Sequence, residues 1–130
     1  MDRDMPAFDW VTALDKCSPA KAFETLRLQV EADVEIRNKQ MSEHGRMTHE
    51  FAMTSNGGKF TVFIDRSNDH RSATFSLTEK GIKVVDCNGK ETDASLTLND
   101  KGRCVAKIGE KEYEFWRLRM MALADLFILS

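Results

Sequence analysis

The spacing of apolar residues changes near Gly45, and that change limits the chain to a mixed architecture. Before Gly45, large apolar residues recur at intervals of three and four, the period of a helix. From about Arg46 to Trp116 they alternate with polar residues in short runs broken by turn signals, the period of strands. After Trp116 the chain is almost wholly apolar up to its end. The expected fold class is α+β: an N-terminal helix, a strongly curved antiparallel sheet of about seven strands in meander order, and a C-terminal apolar helix. A single domain is expected over 1–130, with a loose terminus at 1–7, helix over 9–41, sheet over 46–116 and helix over 117–129.

Bulk properties remove several function classes. The 130 residues are enough to bury a core without staples, and 42% hydrophobic with 31% charged residues argues against disorder. A formal net charge of -2 gives no electrostatic footprint for nucleic acid. No cluster of Lys and Arg suits an anionic membrane surface. The apolar run Met120–Leu129 is broken by Asp125 and is far shorter than the roughly 20 residues of a membrane span. The opening Met1-Asp2-Arg3-Asp4 lacks the apolar segment of a secretory signal. Three cysteines, Cys17, Cys87 and Cys104, form an odd set without CxxC spacing. They are expected as free thiols, buried or partly buried, in a reducing cytoplasmic setting.

Asp9 suits the N-cap of a short helix carrying Trp10, Val11, Ala13 and Leu14. Ser18-Pro19 reads as a second helix start, since proline at the first helical position loses no hydrogen bond. From Pro19 to Met41 two readings compete. Phe23, Leu26, Val30, Val34 and Met41 form one helical stripe, and Leu28, Ala32 and Ile36 form a second on the opposite side. Leu28 to Ile36 also alternates like a strand. Length without glycine or a second proline, together with Gln, Ala and Glu between the apolar positions, favours the helix. Two stripes imply two contacts, one with the sheet and one with the C-terminal helix or a second protomer.

Turn signals divide the rest into strands at Arg46–Ser55, Lys59–Arg66, Ser72–Thr78, Ile82–Cys87, Thr92–Leu98, Arg103–Ile108 and Lys111–Trp116. Alternation assigns an inward face of Met47, His49, Phe51 and Met53; Phe60, Val62 and Ile64; Ala73, Phe75 and Leu77; Ile82 and Val84; Ala94, Leu96 and Leu98; Cys104, Ala106 and Ile108; and Tyr113 and Phe115. Such a sheet is about 30 Å wide. One helix about 10 Å across cannot cover it. The sheet must curl, receive both helices, or share a second copy of the chain.

No catalytic signature and no family signature is present. His44 and His49 are five apart and miss the i, i+4 spacing of a helical metal pair, so no metal and no cofactor is expected. The polar run Asp65 to Arg71 has the composition of a solvated turn. Gly57-Gly58 precedes a strand and lacks a phosphate-loop pattern. Cys87 has no nearby cation in sequence to activate it.

The expected function is a non-catalytic binding or adaptor domain, acting through protein–protein association and self-associating through apolar helix surfaces. The candidate interface residues are Leu28, Ala32, Ile36, Met120, Met121 and Phe127. The expected partners are a second copy or another protein, with no nucleic acid and no membrane. The alternative is a small-molecule binder or enzyme whose concave sheet face takes a small apolar ligand, with His49, Phe51, Tyr113 and Trp116 lining the pocket.

Overall fold

The computed structural model describes residues 7–45, 50–66 and 69–128. Their elements run α1 (Trp10–Lys16), α2 (Pro19–Glu43), β1 (Ala52–Ser55), β2 (Lys59–Arg66), β3 (Asp69–Leu77), β4 (Gly81–Val85), β5 (Glu91–Leu98), β6 (Cys104–Ile108), β7 (Lys111–Tyr113) and α3 (Phe115–Ile128). The strands form one sheet in the order β1 to β7, and each pairs antiparallel with the next. This is the expected α+β meander. β1 and β7 remain its two edges, so the sheet bends without closing.

The segment around Leu28–Ile36 is helix, as its length requires. The first stripe, Phe23, Leu26, Val30, Val34 and Met41, is buried in full. It packs on the inner sheet face. There Phe60 stacks on Phe75 at 4.7 Å between ring centres, and Phe23 tilts against Phe60 at 5.1 Å. Val62, Ile64, Ala73, Ile82, Val84, Ala94 and Ala106 complete that face, and α3 adds Leu118, Ala122, Leu123 and Leu126. The width problem is thus solved by two helices sharing one face. Burying each large side chain is worth about 1.5–3 kcal/mol before chain entropy is set against it.

Glycine is demanded where strands approach most closely. A Cβ on Gly81 would sit 2.1 Å from the Ala94 carbonyl oxygen across the β4–β5 pair, so no larger residue fits there.

Three expectations need correction. First, the chain turns helical at Phe115 rather than after Trp116. The Glu114 carbonyl accepts from Arg117 N at 3.0 Å and Leu118 N at 3.3 Å, which ends β7 at Tyr113 and opens the first turn of α3. Second, two strand bounds shift: β1 begins at Ala52, with Met47 and His49 outside the described residues, and β3 begins at Asp69 rather than Ser72, so Asp65, Arg66 and Asp69 to Arg71, read as part of a solvated turn, are strand. Phe51 precedes β1 and is held by α2: Asn38 Nδ2 donates to its carbonyl at 2.9 Å, and its N–H donates to Asn38 Oδ1 at 2.8 Å.

Third, Cys17 and Cys104 are not free thiols but form a disulfide, with Cα atoms 5.3 Å apart. It joins the end of α1 to the start of β6 across a sequence separation of 87. No local spacing signals such a bridge. Closing a loop of that size constrains the unfolded chain by about 4–5 kcal/mol on the loop-entropy account. The expected reducing setting rested in part on three free thiols, and that part of its support falls away.

Candidate functional site

α2 carries the chemistry of the surface because it is apolar on two sides and only one meets the sheet. The second stripe stays open: Leu28 is 54% exposed, Ile36 56%, and Ala32 between them is exposed as well. These residues stand four apart and so form one straight ridge.

α3 does not cover that ridge. It lies beside α2 along a polar seam between the two stripes. Arg119 Nε donates to Asp33 Oδ2 at 2.7 Å, and Arg119 Nη1 donates to Gln29 Oε1 at 2.9 Å. Further along, Arg37 Nη2 donates to the Phe127 carbonyl at 3.0 Å and places a cation at the C-terminal end of α3. Residues eight apart on α2 thus meet residues eight apart on α3, so the two helices run parallel.

The apolar C-terminal helix is buried on one face only. Trp116, Met120, Met121 and Ile128 are exposed, although so apolar a helix implies burial on most sides. Trp116 and Met120 stand one turn apart. Phe127 turns inward and packs on Phe51 at 4.8 Å between ring centres. Of the candidate interface residues, Leu28, Ala32, Ile36, Met120 and Met121 are therefore on the surface, and Phe127 belongs largely to the core margin.

Of the candidate pocket residues, His49 lies outside the described residues, Tyr113 and Trp116 both lie against the Arg117 guanidinium, and Phe51 precedes β1 at the opposite edge of the sheet from β7. Phe51 is buried against Asn38 and Phe127. Tyr113 lies half-buried under the Arg117 guanidinium, 5.2 Å from its ring centre. Trp116 is on the surface, its Nε1 donating to Glu114 Oε2 at 3.1 Å. The inner sheet face is filled by side chains rather than hollow.

Clefts occur at the rim instead. One of about 320 Å³ lies between the β4–β5 turn and α3, with Val84, Leu118 and Met121 as its floor and Asp86 and Asp125 at its edge. Asn88 Nδ2 donates to Asp125 Oδ2 there at 2.8 Å. A second, of about 350 Å³, opens between α2, α3 and β6 and is lined by Thr25, Gln29, Cys104, Trp116 and Arg119 among others.

The titratable groups are those of a surface. Arg27 bridges Glu24 and Glu31 on α2, which raises its own pKa, and its hydrogen bond holds the Glu24 carboxyl below the usual range. His70 pairs with Asp65 across β2 and β3, both well exposed, beside the Phe63 ring. Cys87 is the free thiol; burial, then the nearby Asp125 and Asp86 carboxylates, push its pKa up, the opposite of nucleophile activation. Among the described residues no group of three or more His, Cys, Asp or Glu could hold a metal, and no helix is long and apolar enough to cross a membrane.

Sequence reasoning passed over α1 as a surface. Phe8, Trp10, Val11 and Leu14 are all exposed, and α1 itself buries no residue. The signal was available, since a seven-residue helix preceded by Phe8 is too short to bury three large side chains of its own on one side.

Comparison with known protein families, with curated proteins and with solved structures finds no significant match.

Proposed function

We propose that the protein is a non-catalytic binding module that works through protein–protein association, and that it first associates with a second copy of itself. The observation that carries this reading is the exposed Leu28–Ala32–Ile36 ridge. It has a small residue at its centre and one large aliphatic residue at each end. Such a ridge is self-complementary. With a two-fold axis at Ala32 and the two copies of α2 antiparallel, Leu28 meets the opposite Ile36 and the small centre lets the helices approach. Trp116 and Met120 on the neighbouring helix widen the apolar surface with one rigid and one adaptable side chain. The acidic flank of the ridge is partly neutralised within each chain, because Arg27 holds Glu24 and Glu31.

The alternative, a small apolar ligand in the concavity of the sheet, draws no support from the packing. Phe60, Phe75, Leu26 and Leu118 occupy that space.

Analytical ultracentrifugation tests the reading. A dimer is expected at micromolar concentration, and Leu28→Glu with Ile36→Glu should give a monomer with an unchanged circular dichroism spectrum. A wild-type chain that sediments as a monomer throughout the micromolar range removes the reading.

A further inference from the structure

We infer that the Cys17–Cys104 disulfide is a redox clasp: closed, it holds α1 on the sheet; opened by a thiol reductant, it releases α1 while the rest of the domain stays folded. The first support is how little else holds α1. None of its seven residues is buried, although Ala13 is half-buried and the helix rests beside α2, β5 and β6, and after Cys17 burial resumes only at Ala22 on α2. The neighbouring buried anchor is Cys17 itself, 5% exposed, at the C-cap. Other ties lie at the surface: an Asp15–Lys21 ion pair, and the Phe8 ring resting over Gly102. A free helix shorter than about 12–15 residues is marginal in water. Without its covalent tie, α1 lacks both the length and the burial to persist.

The second support is access. Cys17 is covered, but Cys104 is only half-buried and lines the groove between α2, α3 and β6. Cys104 is therefore the side from which a reductant approaches the bond. Its thiolate attacks Cys104 Sγ, the S–S bond breaks, and Cys17 leaves as a thiolate that takes up a proton. A second reductant thiol then displaces Cys104 from the mixed disulfide. Two protein thiols are gained and the reductant's two thiols become one disulfide.

The consequence is a change of surface. In the closed state Trp10, Val11 and Leu14 are displayed on a formed helix beside β5 and β6. In the open state they belong to an unstructured arm, and the β5–β6 hairpin beneath is uncovered. The inference does not depend on self-association, since it concerns one chain.

The test is native hydrogen exchange on the full chain, with and without dithiothreitol and no denaturant, alongside thiol counting by alkylation and mass. One alkylated thiol, Cys87, is expected before reduction and three after it. Amides of residues 13–17 should lose protection about tenfold or more while those of α2 and β2–β5 keep theirs, and oxidised glutathione should restore the first state. The Cys17→Ser, Cys104→Ser double variant should match the reduced chain. The inference is overturned if the bond resists reduction without denaturant, if residues 13–17 stay protected once it is reduced, or if the sheet amides lose protection together with α1. The last result would make the bridge a fold staple.

Discussion

The two apolar faces of α2 have the same chemistry and opposite fates. Phe23, Leu26, Val30 and Val34 vanish into the core, while Leu28, Ala32 and Ile36 stand in water on the other side of the same helix. Helical spacing alone does not separate them, because both recur at three or four residues. What separates them is the tertiary partner. The sheet takes one face, and α3, which could have taken the other, is held on the flank by Arg119 and Arg37. A helix can thus satisfy its fold with one stripe and leave another exposed.

Substitutions around α2 should grade with position. Leu26→Ala, at a site with no exposure, should cost about 3 kcal/mol in a urea titration, from lost transfer energy plus the cavity left behind. Asn38→Ala should cost about 2 kcal/mol by the same measurement, because both Phe51 backbone groups lose their partner in a half-buried place. Arg119→Met should cost about 1 kcal/mol, since its pair with Asp33 is partly shielded and Gln29 also loses its donor. Leu28→Ala should change monomer stability by less than about 0.5 kcal/mol. Its effect should appear in the dimer dissociation constant instead, measured by sedimentation. If Leu28→Ala destabilised the monomer as much as Leu26→Ala, the contrast between the two faces would collapse.

Much of the fold was legible because its signals are local. Asn56-Gly57-Gly58 and Asn88-Gly89 mark turns by backbone chemistry, and β2 spans the expected Lys59–Arg66. The inward face followed from alternation alone at Phe60, Val62 and Ile64. What was missed depends on distant parts meeting. The Cys17–Cys104 bridge has no local spacing. The seam between α2 and α3 uses Gln29, Asp33 and Arg37, polar residues that periodicity does not count. Val105 is buried although alternation sets it opposite Ala106. The exposed ridge was legible as a pattern, whereas for the pocket expected around His49, Phe51, Tyr113 and Trp116 alternation names a face and cannot say whether that face is filled.

The grip of Asn38 on Phe51 also bears on how far the sheet can extend. Asn56 N donates to the Lys59 carbonyl, so by alternation the peptide groups of Ala52 and Thr54 turn towards β2, while those of Phe51, Met53 and Ser55 turn outward. The outward pair at Phe51 is occupied by a side-chain amide, which bonds as another strand's peptide would and carries no chain onward. A stray strand laid along this border finds the Phe51 position taken, and within β1 only Met53 and Ser55 left to grasp. The opposite border is the three-residue β7, shorter still. Both borders of the sheet are thus short, which limits edge-to-edge pairing in a chain that also carries exposed apolar side chains on its helices.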